Sequence, residues 1–116
     1  MIIVNDNTRR IEHWEKLNPG KDVIGFTHPN YLIEKATENT KFLSDYANAI
    51  FIVDDFFSNK SLLHDESMNK IKSLFPNAKF YVSSGAHQEG KEISGYHGSI
   101  GPEPVDFDAL MEKLEK

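Results

Sequence analysis

Two adjacent carboxylates, Asp54 and Asp55, end the apolar run Ala49-Ile50-Phe51-Ile52-Val53. A second apolar run, Ile2-Ile3-Val4, closes on Asn5-Asp6, and a further strand candidate, Ala78 to Val82, closes on Ser83-Ser84-Gly85. A short apolar run between polar ends reads as a strand buried on both faces, as in a parallel sheet. Open sheets of that kind place their ligand crevice at the carboxyl ends of the strands. If these ends meet, Asn5, Asp6, Asp54, Asp55, Ser83, Ser84 and the loop 99–102 line one crevice. Converging carboxylates repel each other, and a divalent cation offsets that repulsion. Oxygen ligands without cysteine favour Mg²⁺ or Mn²⁺ over Zn²⁺. A carboxylate beside such an ion can act as a nucleophile toward phosphorus, with a nearby hydroxyl hydrogen-bonding the transferred group.

The elements between these runs must hold the ends together. Asn7 or Thr8 can cap a helix with Ile11, Trp14 and Leu17 at helical spacing, stopped by Asn18-Pro19-Gly20. Val23-Ile24-Gly25-Phe26 reads as a second strand. Thr27-His28-Pro29 opens a second helix with Leu32, Ile33 and Ala36 inward, extending toward Phe42, Leu43 and Tyr46. After the central strand, Phe56 to Lys60 reads as a loop. Asp65 caps a third helix that shows Met68, Ile71, Leu74 and Phe75 before Pro76-Asn77 ends it. His87 to Glu92 reads as a short polar helix, and residues 94–100 hold a fifth strand. Gly101-Pro102-Glu103-Pro104 makes a rigid turn. Asp106 caps a last helix with Phe107, Leu110, Met111 and Leu114 on one face. Five βα units predict one α/β domain over residues 1–116, a flavodoxin-like (βα)5 fold with parallel strand order 2-1-3-4-5.

Composition narrows the function classes. The 116 residues carry a formal charge of -5, so no basic field favours nucleic acid or an anionic membrane surface. The absence of cysteine excludes disulfides and fits a reducing compartment. No run approaches the roughly 20 apolar residues that span a bilayer, and no signal peptide is evident. A cytoplasmic protein is expected.

With these residues in place, the chain resembles the receiver domain of two-component response regulators along essentially its whole length. Val4-Asn5-Asp6 looks like the receiver's paired acids, with Asn5 in place of the first. Ile50-Phe51-Ile52-Val53-Asp54 resembles the strand that bears the phospho-accepting aspartate. Phe80-Tyr81-Val82-Ser83 is similar to the strand ending in the hydroxyl that binds the phosphoryl group. Gly95-Tyr96 matches the aromatic switch, and Pro102 resembles the proline after the fifth strand. The resemblance implies Asp54 as phospho-acceptor, Mg²⁺ on Asp6 and Asp54 with Asn5 in its outer shell, Ser83 on the phosphoryl group and Tyr96 as a switch. It also implies a sensor kinase or phosphotransfer protein upstream and an output protein downstream.

The chain departs from that pattern in one conspicuous way. Receivers carry a lysine before the proline, whereas here Gly101 precedes Pro102 and no lysine lies between Lys91 and Lys113. This makes the expected protein an atypical stand-alone receiver, with a phosphorylation-independent pseudo-receiver as the alternative. A third reading is a small Mg²⁺-dependent phosphate-processing enzyme on the same acids. It draws on the opening Asp6-Asn7…Arg10-Ile11, which resembles a divergent receiver group that processes cyclic phosphates but lacks that group's His-Asp-Leu. Turnover is the less favoured expectation.

The remaining chemistry-bearing residues have simpler readings. Among the five histidines, His13, His28, His64, His87 and His97, none pair at metal-binding helical spacing. His87 and His97 flank the crevice loops and form the one alternative site, as acid–base groups or ligands. Phe56 and Phe57 either cover the acids, join the core or form a docking patch. Tyr96 is read as packed in preference to mobile.

Overall fold

The computed structural model describes residues 1–57, 60–61, 63–84 and 89–114. Three strands of three or four residues, β1 (Ile2–Val4), β3 (Ile50–Val53) and β6 (Lys79–Val82), lie side by side with β2 (Ile24–Phe26). All pairings are parallel and the order is β2-β1-β3-β6. Counted by βα unit this is the predicted 2-1-3-4 arrangement, a flavodoxin-like α/β sheet. The fifth strand is reduced to one parallel bridge between Val82 and Ser99.

Strand alternation divides the core in two. Ile2, Val4, Phe51, Val53, Phe80 and Val82 face one layer, packed with Leu32, Ala36, Phe42, Met68, Ile71 and Phe75. These come from α2 (Pro29–Glu38), α3 (Thr40–Asp45), α4 (Glu66–Leu74) and the residue that follows α4. Ile3, Ile52 and Ile100 face the other layer with Ile11 and Trp14 of α1 (Thr8–Leu17) and Phe107 and Leu110 of α5 (Phe107–Leu114). Gly25 lets α1 approach β2, since a methyl group there would overlap the Ile11 side chain.

Local chemistry sets the helix ends. Asn7 accepts from the Arg9 amide and starts α1. At the far end of α1, buried Asn18 donates to the Trp14 and Val105 carbonyls and accepts from the Phe107 amide. One amide side chain thereby ties the end of α1 to the start of α5. His28 caps α2 through Nδ1 with Pro29 in the first turn. The stretch expected as one helix through Tyr46 is two, because Asn39 takes an extended conformation and caps α3 with its own side chain. Asp65 takes the position before α4 as expected, and its carboxylate accepts from the Ser67 hydroxyl. Asp106 starts α5 by accepting from the Ala109 amide.

Two loop readings change. In the stretch expected as a loop, β4 (Phe56–Phe57) and β5 (Lys60–Ser61) pair antiparallel with Phe56 opposite Ser61. The expected helix at residues 87–92 falls partly outside the described residues, and Glu89–Gly90 form a turn followed by irregular chain. Among the described residues, no helix is long and apolar enough to cross a membrane.

Candidate functional site at the carboxyl rim

Three neighbouring strands, β1, β3 and β6, end in the same way. The Asn5 amide donates to the Phe26 carbonyl at 3.0 Å, Asp54 to Val4 at 2.8 Å, and Ser83 to Val53 at 2.9 Å. Each polar residue is thus held by the last carbonyl of its neighbour. Register extends from Val4↔Val53↔Val82 by one step, which aligns Asn5, Asp54 and Ser83 across three strands. Alternation gives this row the parity of Ile3, Ile52 and Tyr81, the side covered by α1 and α5. Asp6, Asp55 and Ser84 have the opposite parity.

Asp54 is half-buried, and its carboxylate accepts from the Asp55 amide at 2.9 Å. Burial lifts its pKa above the ordinary carboxylate value, and that amide pulls it back. The charge of Asp6 lifts it further, and Arg10 opposes it. The sequence reading brought Asp6 and Asp54 to one rim, and Asp6 acts electrostatically on Asp54 there. Asp6 itself is exposed. Asn5 is only 5% exposed, and its Oδ1 accepts from the Asn7 amide at 2.9 Å. The side-chain oxygen is therefore engaged in the β1–α1 turn, and Nδ2 has no acceptor among the described residues.

Asp55 turns the other way. It is 4% exposed and accepts a hydrogen bond from the Ser61 hydroxyl of β5. Its charge reaches Tyr96, whose phenol is pushed well above its usual pKa, by burial first and by Asp55 second. Tyr96 is packed, as expected: its hydroxyl donates to the Leu63 carbonyl at 2.5 Å, and Lys72 lies 3.7 Å from its ring centre. Lys72 also donates to the Gly95 carbonyl at 2.6 Å, and burial lowers its pKa.

The segment 97–102 closes the row. The His97 amide donates to the Phe80 carbonyl at 2.7 Å, and the Phe80 amide donates to His97 Nδ1 at 3.1 Å. An imidazole nitrogen thus stands where a regular strand would present a carbonyl, which is why pairing here is a single bridge. Ser83 donates to the Gly101 carbonyl at 2.9 Å. Gly101 has a positive φ of 89°, a conformation that favours glycine. Arg10 reaches from α1 to the Pro102 carbonyl at 2.6 Å, with Glu103 at 3.7 Å.

Of the predicted site residues, Asn5, Asp54 and Ser83 share one row with Asp6 beside it, whereas Asp55 and Tyr96 belong to the side of β4 and β5. His97 is structural, and His87 lies outside the described residues, as do the side chains of Phe56 and Phe57. Among the described residues, no group of three or more His, Cys, Asp and Glu is arranged to hold a metal. Two carboxylates, Asp6 and Asp54, remain as oxygen donors. Sequence reasoning gave Arg10 no place in the crevice. Its signal was two adjacent arginines in the first turn of a helix, where the helix dipole disfavours cations. Clefts among the described residues lie away from the rim. One of about 530 Å³, lined by Asp22, Asp45 and Tyr46, includes Met1 at the amino end of β1, and one of about 580 Å³ runs along residues 92–97.

No family model, no curated protein and no solved structure matches the chain.

Proposed function

We propose that this chain is an atypical receiver-like signalling module that accepts a phosphoryl group on Asp54 and relays its state by protein contact. The observation that carries the reading is the row itself. A half-buried carboxylate on the central strand has a buried amide on one side and a hydroxyl on the other, all three fixed by backbone hydrogen bonds. Phosphoryl transfer depends mainly on such positioning.

In this reading the donor is a sensor kinase or a phosphotransfer protein, and the setting is cytoplasmic. An Asp54 oxygen attacks phosphorus as the phosphorus–nitrogen bond of a phosphohistidine breaks. The imidazole leaves, and an acyl phosphate remains. Asp6 and Asp54 fit Mg²⁺, which commonly binds through one or two carboxylates and keeps several waters. When bound, the ion neutralises carboxylate and phosphoryl charge. Asn5, whose Oδ1 already accepts from the Asn7 amide, would stand in the outer shell of that site. For Ser83 to donate to a phosphoryl oxygen, its hydroxyl must leave the Gly101 carbonyl. That exchange connects the state of Asp54 to the segment leading into α5, and the face formed by β6, this segment and α5 docks the output protein.

Beryllofluoride with Mg²⁺, followed by amide NMR, tests the proposal. Saturable shifts at Asn5, Asp54 and Ser83, abolished by Asp54→Asn, are expected. Silence at millimolar Mg²⁺ overturns it and leaves an interaction module that carries no phosphate. Turnover of a phosphoester, lost in Asp54→Asn, would instead identify a phosphate-processing enzyme.

A further inference from the structure

A phosphoryl group arriving at this rim meets the charges of Asp6, Asp54 and Glu103. Its oxygens need hydrogen-bond donors, and the segment 92–112 contains no lysine or arginine. Two donors of the rim come from the opposite side, from the end of β1 and the first turn of α1.

Arg10 is the first. α1 and α5 cover the same sheet face, with Ile52 of the central strand between them. Asp54 follows Ile52 on that face by alternation. The Arg10 side chain leaves the top of α1 and ends on the Pro102 carbonyl, ahead of α5. The guanidinium thus sits on Pro102, next to Gly101, whose carbonyl takes the Ser83 hydroxyl, and its charge acts on Asp54. A guanidinium has five N–H donors in a rigid fork. Arg10 uses one on a neutral carbonyl, and its ion pair with Glu103 is 3.7 Å long between side chains 38% and 70% exposed. An exposed pair of that kind contributes little, and a hydrogen bond to an ionised phosphoryl oxygen is about twice as strong as a neutral one.

Asn5 is the second. Its Oδ1 is fixed by the Asn7 amide, so the group left over is the donor Nδ2. That amide belongs to a residue 95% buried and one strand from Asp54. A buried donor without an acceptor costs free energy unless something supplies one.

We propose that Arg10 and Asn5 are the oxyanion-binding residues of this rim, donating through the guanidinium and Nδ2 to the oxygens of a phosphoryl group at Asp54. The assignment rests on the acceptor reading of Asp54 and adds the residues that recognise the anion. Occupation draws Arg10 away from Pro102 just as it draws Ser83 away from Gly101. The side-chain bonds from Ser83 and Arg10 to the carbonyls of Gly101 and Pro102 are released together.

The test uses the full chain and beryllofluoride with Mg²⁺. Arg10→Gln is expected to weaken binding at least tenfold, and Arg10→Lys to recover part of the loss. Thermal melts check that each variant is folded. Wild-type binding with unchanged affinity in Arg10→Gln overturns this inference and leaves the acceptor reading standing. If wild type does not bind, the acceptor reading fails alone, and Asp54→Asn titrated with inorganic phosphate decides the rest. Saturable shifts of the Arg10 Nε–H and Asn5 Nδ2 signals support the anion site, and their absence ends it.

Discussion

Asp54 and Asp55 carry the same functional group one residue apart and serve opposite halves of the molecule. Asp54 stands half-buried on the side of α1 and α5, beside Asn5 and Ser83, where Asp6 repels it and Arg10 offsets the repulsion. Asp55 is buried on the side of α2 and α4, where it accepts from Ser61 and adds to the burial that raises the Tyr96 phenol. The two-residue period of a strand produces the split. Labour is divided between the two carboxylates: one is left under electrostatic tension at an open rim, and the other fastens β5.

Substitutions on the two sides should separate accordingly. The largest effect is expected from Trp14→Ala, which empties the buried anchor of α1 and should cost about 3–5 kcal/mol in denaturant unfolding. Its amide shifts should gather at Asn5 and Arg10 and spare Tyr96. Next, Asp55→Ala strips the acceptor from Ser61 and should destabilise by about 1–3 kcal/mol. Tyr96→Phe removes the bond to the Leu63 carbonyl and should cost about 1 kcal/mol. In the wild type, absorbance titration should show this tyrosine ionising above the usual range.

Asp54→Asn should have the smallest effect and the opposite sign. It keeps an acceptor for the Asp55 amide and removes a charge the fold disfavours, so a gain of at most about 1 kcal/mol is expected at neutral pH, given solvent screening. The sign comes from the raised folded pKa. The stabilising contribution of protonated Asp54 is fully present below the unfolded value near 3.8 and is lost as pH rises through the folded value. The advantage of Asp54→Asn over wild type should therefore grow across that interval and level off above it. Equal and destabilising effects for Asp54→Asn and Asp55→Asn, measured by chemical denaturation at pH 4 and pH 7, would erase the distinction between the two sides.

Much of the scaffold was legible from local pattern. Ile2-Ile3-Val4 and Ile50 to Val53 are apolar throughout because both faces of the sheet are covered, and the caps at Asn7, His28 and Asp106 come from side-chain chemistry alone. The pairing of β4 with β5 was not legible, because the sequence between them, Ser58-Asn59, carries no two-residue glycine signal and the Asp55–Ser61 contact spans six residues. The missing fifth strand was not legible either. His97 supplies its imidazole to the Phe80 amide, a contact across 17 residues that no strand propensity encodes. Of the rim, the sequence disclosed the acids and the serine but neither the commitment of Asn5 Oδ1 nor the reach of Arg10.

The sequence by itself determined which residues end each strand and hence that acids and hydroxyls would collect at one edge, since apolar period and polar termination are properties of consecutive residues. Only the tertiary structure decided which of two adjacent aspartates faces the rim and which cation acts on it. Those outcomes depend on strand register, on the face each helix covers, and on the crossing of α1 toward the turn before α5. They arise from contacts between segments as much as 92 residues apart.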